Sequence, residues 1–184
     1  MKPFHLNLKC ANFALMDIPD QMPNKEAEAL FASLPPVEVP EILGEWSGRG
    51  ISTGHPLDAL LGISGWEGKR FISADEVHPL INRSVIGPVS LNPDLMSLGV
   101  MQFLNLAKWP FMRQIFYMLC PLVSTRAPRA RLRMVTYRGV SSAAMIYDQK
   151  AIIDHFRRVD DRRLMGLMDL RGDDFPFFFL LERC

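Results

Sequence analysis

Apolar residues recur along this 184-residue chain in two rhythms. Ala27, Leu30, Phe31 and Leu34 fall at helical spacing, with Asn24 ahead of them as a cap and Pro35-Pro36 as a stop, which predicts a helix over 24–36. The last third changes to short runs separated by polar or glycine turns, at 131–138, 140–149, 151–159, 163–171 and 175–183. Links this short force neighbouring strands to pair antiparallel, and a twisted meander of this size closes on itself to remove its edges. Extended structure is also expected from Val39 through Trp46, at 66–71 and over 80–86. Pro56 and Asp58 suit the start of a short helix carrying Leu57, Leu60 and Leu61. Ser73 and Glu76 form a capping-box pattern for a single helical turn. A Met- and Phe-rich helical region is predicted at about 95–119, broken near Pro110.

In 164–168 and 177–181 both strand faces are apolar, whereas a strand with water on one side shows one polar face. Something must cover the outside. The 95–119 segment or a second copy of the chain could do so, and on the second reading the protein is a homodimer.

Hydrophobic residues at 48% and charged residues at 22% describe an ordinary globule. A net charge of +1 leaves no basic footprint, so no nucleic-acid partner is expected. Cys10, Cys120 and Cys184 lack metal or redox spacing and read as reduced thiols in the cytoplasm. The stretch 95–107 falls short of the roughly 20 apolar residues of a spanning helix, so no integral membrane segment is expected. No apolar signal core follows the N-terminus. One domain over 1–184 results, with an N-terminal arm at 1–23, the helix at 24–36, and a sheet over 39–183 carrying a helical insertion at about 92–122.

Gly44-Glu45-Trp46-Ser47-Gly48 places a large indole between residues without side chains, where backbone can approach closely. Further on stand Thr53-Gly54-His55-Pro56-Leu57-Asp58, Trp66-Glu67-Gly68-Lys69-Arg70-Phe71, and the stretch from Tyr137-Arg138-Gly139 to Gly166-Leu167-Met168-Asp169. As a set these resemble the bacterial GXWXG family, and more distantly the lipocalin-like and nitrobindin-like barrels. The resemblance implies a mainly β fold: a small antiparallel lipocalin-like β-barrel of about eight to ten strands, with several short helices and a helical cover segment. It implies a structural role for Gly44, Trp46 and Gly48, and an arginine, Arg183 or Arg171, lying over Trp46. It implies no activity.

A barrel lined by Met, Phe and a few polar residues suits a small apolar or amphipathic ligand, a lipid or fatty acid, without a resident cofactor. The candidate lining residues are Tyr137, Met145, Tyr147, His155, Met168 and Phe177, with His155 marking the polar end. Two alternatives use the same histidine. The nitrobindin resemblance suggests haem with His155 as axial ligand. An enzyme acting on a small organic substrate would use His155 with Tyr147 or Tyr137. Asp154 and Asp148 are further candidates for chemistry, but neighbours in a strand face opposite ways, so Asp154 and His155 cannot share one cavity. His55, Asp58 and His78 are irregularly spaced and read as capping residues, not as a metal site. Arg126, Arg129, Arg131 and Arg133 read as a solvated approach to a strand, or as an anion rim.

Overall fold

The computed structural model describes residues 17–58, 64–95 and 111–184. Its strands are β1 (Gly44–Ile51), β2 (Trp66–Phe71), β3 (Val77–Ser84), β4 (Gly87–Ser90), β5 (Ala130–Tyr137), β6 (Val140–Tyr147), β7 (Ile152–Arg158), β8 (Arg163–Leu170) and β9 (Phe177–Arg183). Two α-helices stand among the described residues, α1 (Asn24–Ser33) and α2 (Met112–Leu119). The strand order is β2-β1-β9-β8-β7-β6-β5-β3-β4, and β2 also pairs with β3. The sheet therefore closes into an eight-stranded antiparallel barrel, with β4 added along the far half of β3. The meander read from the last third is β5 to β9, each strand within two residues of its expected ends.

Side-chain parity sorts the core into two bodies. Inside the barrel lie Trp46, Phe71, Leu132, Met145, Tyr147, Phe156, Leu164, Phe177, Phe179 and Leu181. Outside it, Met165, Leu167, Phe178 and Leu180 meet Ala27 and Phe31 of α1 and Leu34 just after it, together with Ile18 and Met22. The two-faced apolar strands β8 and β9 are thus covered by α1 and the segment just before it. The sequence pattern assigns this role to residues 95–119 or a second copy; residues 96–110 of that segment lie outside the described residues. Part of the expected arm is built in: Gln21 bridges Ser52, and Arg49 holds Asp20 at 2.6 Å.

Several local expectations change. Pro23, not Asn24, precedes the first turn of α1, and the Asn24 amide donates instead to the Pro176 carbonyl. Ser73 Oγ accepts from the backbone of Asp75 and Glu76, but the result is a bend between β2 and β3, not a helical turn. β6 and β7 pair only over Ala144–Ile146, because Val37 wedges beside them; Ser142 Oγ accepts from the Val37 N–H and donates to the Phe156 carbonyl. Of the Met- and Phe-rich segment, residues 96–110 lie outside the described part. No helix among the described residues is long and apolar enough to cross a membrane. Cys120 is a buried free thiol and Cys184 an exposed one; Cys10 lies outside the described residues.

Candidate functional site

The tryptophan-glycine motif builds one end of the barrel. Trp46 is buried, its Nε1 donates to the Ile42 carbonyl at 2.8 Å, and the Arg183 guanidinium lies 4.3 Å from its ring centroid. Arg183 in turn donates to the carbonyls of Leu43 and Glu41, so it clamps the turn before β1 to the end of β9. Of the two arginines expected over this ring, Arg183 is the one. The room made by Gly48 serves a different ring: a Cβ there would lie 2.2 Å from Trp66. Gly166 does the same for Phe179, where a Cβ would stand 2.1 Å from the ring. These two glycines let large aromatic faces lie flat on the barrel wall.

Between those rings the sequence places a lysine and a carboxylate. Lys69 Nζ sits 2.8 Å from Asp154 Oδ2, and their side chains are 3% and 1% exposed. The ammonium also donates to the Pro79 carbonyl. It stands 4.9 Å from the Phe179 ring centroid, 5.5 Å from Trp66 and 5.9 Å from Tyr147. Three aromatic faces and one carboxylate thus replace the lysine's water. Burial pushes the Asp154 carboxyl above its usual range, and Lys69 pulls against that shift. Burial, aided by the Asp154 charge, pushes the Tyr147 hydroxyl well above its usual value. Asp154 Oδ1 and Trp66 Nε1 are shut off from water, and neither has a hydrogen-bond partner among the described residues. The arrangement leaves one donor, Trp66 Nε1, and one acceptor, Asp154 Oδ1, open to a ligand.

A pocket of about 1070 Å³ opens beside Trp66, lined by Gly48 to Ser52 of the β1 end, Arg83, and Arg113, Gln114 and Tyr117 of α2. Trp66 thus lines this pocket and also stands against Lys69 of the buried pair. Position in sequence pointed to neither Lys69 nor Trp66 as site residues. The available signal for Lys69 was parity within β2, where it shares a face with the buried Phe71, and a lysine on such a face is unusual.

The sequence-derived site splits across the sheet. Met145, Tyr147 and Phe177 point into the barrel, with Met168 packed against them. Tyr137 and His155 stand on the outer face, stacked with ring centroids 4.0 Å apart. His155 therefore shares no cavity with Tyr147, which removes it both as axial ligand to an interior haem and as catalytic partner to Tyr147. The separation of Asp154 from His155 holds, but Asp154 is the one that faces inward. Asp148 pairs with Arg131 at the surface. His55, Asp58 and His78 are not brought together as a set. Asp58 Oδ2 accepts from the backbone of Thr53, Gly54 and His55, His55 Nε2 meets Asp173 at 3.1 Å, and His78 meets Ser90.

His155 carries its own pH signature. Burial, with Arg157 and Arg138 adding to it and Asp169 opposing, lowers its pKa to about 4. The unfolded chain takes up this proton near pH 6.5, so stability is present in full above that pH and is lost as pH falls towards 4. The loss is about 3 kcal/mol. Melting curves between pH 7 and pH 4 should fall more steeply for wild type than for His155→Gln; parallel curves would refute this.

By sequence, residues 29–87 match a family described as "GXWXG protein", and residues 128–183 match a "Domain of unknown function (DUF4334)". No curated protein matches the chain. The crystal structure of a protein from Thermomonospora curvata is 34% identical, over 90% of this chain and 90% of that one, with a TM-score of 0.67. The closed barrel is of a form compatible with ligand binding, and the match to the first family begins within α1, takes in Trp46 and ends at the start of β4, while Arg183 over the Trp46 ring falls in the second match. On these grounds the chain belongs to the GXWXG family.

Proposed function

We propose that the protein binds a small amphipathic organic molecule, a lipid or lipid fragment, in the barrel beneath Trp66. The observation that carries this reading is the pair of unpaired, water-excluded polar atoms, Asp154 Oδ1 and Trp66 Nε1, set among apolar walls. Buried polar atoms without partners are costly, and a ligand that supplies the partners recovers that cost. Met145, Met168, Phe177 and Phe179 offer the apolar body about 25 cal/mol per Å² of surface removed from water. The polar end needs a donor for Asp154 and an acceptor for Trp66, which a hydroxyl, an amide or a protonated acid supplies. An ionised fatty acid suits the site less well, because Asp154 already neutralises Lys69 and would repel a second carboxylate. The reduced thiols fit a cytoplasmic setting.

The test is a titration of 1-octanol, octanoate and octane at pH 7, read by tryptophan fluorescence. Wild type should bind the alcohol at least about tenfold more tightly than the anion, a difference of about 1.4 kcal/mol. Asp154→Asn should narrow that gap, and Trp66→Phe should remove most of the optical signal. Equal affinities for all three compounds would leave an apolar groove and no polar end.

A further inference from the structure

Arg157 is 2% exposed, on the outer face of β7 beneath α1. Its guanidinium lies 5.0 Å from the Phe31 ring centroid, and Nη1 donates to the Phe156 carbonyl at 3.2 Å. All 20 carboxylate side chains of the sequence fall among the described residues, and none forms an ion pair with Arg157. The other deeply buried cation, Lys69, does have its carboxylate. A buried charge is ordinarily paired, and a ring face with one carbonyl is a poor substitute for an anion.

Which edge is unpaired matters more than the missing charge. Nε is buried and without a partner among the described residues, and the hydrogen bond to the Phe156 carbonyl is made by Nη1, on the other side of the group. Nε–H and Nη2–H point the same way and form the fork with which arginine grips two oxygens of one oxyanion. Two positions back on the same face stands His155, itself 2% exposed, with Nε2 also unpartnered and 3.9 Å from Asp169. Tyr137 covers its ring, and Arg138, which pairs with Glu28 of α1, adds positive charge nearby.

We propose that Arg157 and His155 form a binding site for a small oxyanion, a carboxylate or phosphate group, on the outer face of the barrel under α1. Arg157 supplies the two-pronged grip and His155 a third donor once it is protonated. The anion would tie β7 to α1 at the point where the helix covers the sheet. The site is separated from the barrel interior by the sheet itself, so it stands or falls independently of the ligand proposed above.

The experiment follows two NMR signals of the whole protein, Arg157 Nε–H and His155 Cε1–H. Sodium phosphate or sodium formate is added, with sodium chloride as reference at equal ionic strength. The charged groups facing His155 are Arg157 on its own strand, Asp169 on β8, and Arg138 after β5 with its partner Glu28. Binding should shift the Arg157 signal saturably and raise the His155 midpoint from about 4 by about one unit or more, since an added anion favours the imidazolium. A response to formate alone assigns a carboxylate, to phosphate alone a phosphoryl group, and to both a general oxyanion site. Arg157→Lys keeps the charge and loses the fork, so its response should fall at least about tenfold in affinity; should it not fold, His155→Gln, read at Arg157, takes its place with a weakened shift. Identical behaviour of phosphate, formate and chloride on wild type would overturn the proposal, as would an undiminished response in Arg157→Lys.

Discussion

Lys69→Met is expected to cost about 3–5 kcal/mol of folding stability, because it leaves the Asp154 charge buried without a counter-charge. Asp154→Leu should cost a similar amount by stranding the ammonium. Against a total of about 5–15 kcal/mol for a domain, either loss is large enough to lower the midpoint of urea unfolding severely. Lys69→Met/Asp154→Leu should regain most of it. Both charges are then gone, the Pro79 carbonyl loses only one long hydrogen bond, and the methionine can lie against Trp66, Tyr147 and Phe179. Urea unfolding of the four proteins forms a double-mutant cycle, with an expected coupling of several kcal/mol. If the single variants lie within about 1 kcal/mol of wild type, the pair is not buried as described. The cycle also separates fold from function: the double variant should be stable yet no longer prefer an alcohol, since the polar end of the proposed site is gone.

Trp46→Ala carries the second large effect, about 3–5 kcal/mol for removing a large buried aromatic ring. More than packing is lost. The Ile42 carbonyl loses its donor, and Arg183 loses the face it lies on, so the turn at Val39–Ile42 is released from β9. Trp46→Phe keeps most of the ring and should recover more than half of the loss. Thermal melting of the two variants checks this. An alanine variant that melts within a degree or two of wild type would show that the ring does not close this end of the barrel.

The meander was legible because its turns are short and polar, and nothing else in that third of the chain competes with strand pairing. The cover on β8 and β9 was half legible: two-faced apolar strands demand a partner, but only tertiary structure decides that Phe31 and its neighbours supply one. Met145, Tyr147 and Phe177 stand in the barrel interior, each on the face it shares with its alternate neighbours in the strand. His155 was misplaced for the same reason that Lys69 went unseen. Parity fixes which residues in one strand travel together, but the register of a distant strand sets whether a given face looks inward. Trp66 was hidden differently, because the glycine that accommodates it, Gly48, stands beside another tryptophan in sequence.

The barrel is closed along two seams of unequal length. β1–β4 and β5–β9 each form from neighbouring strands, whereas β1 and β9 meet over six register pairs from residues about 135 apart, as at Ser47 and Glu182. The other seam, β3 to β5, has a single register pair, Val77 with Ala130. Contacts between distant residues are reached late, after the local hairpins have ordered and the intervening chain has given up its freedom. The docking of the two halves along β1 and β9 is therefore expected to be the slow step of folding, read as a lower refolding rate for a substitution in that seam than for one within a hairpin. With one register pair against six, the Val77 seam is expected to exchange its backbone amides with solvent faster than the β1–β9 seam, which native-state hydrogen exchange would read directly.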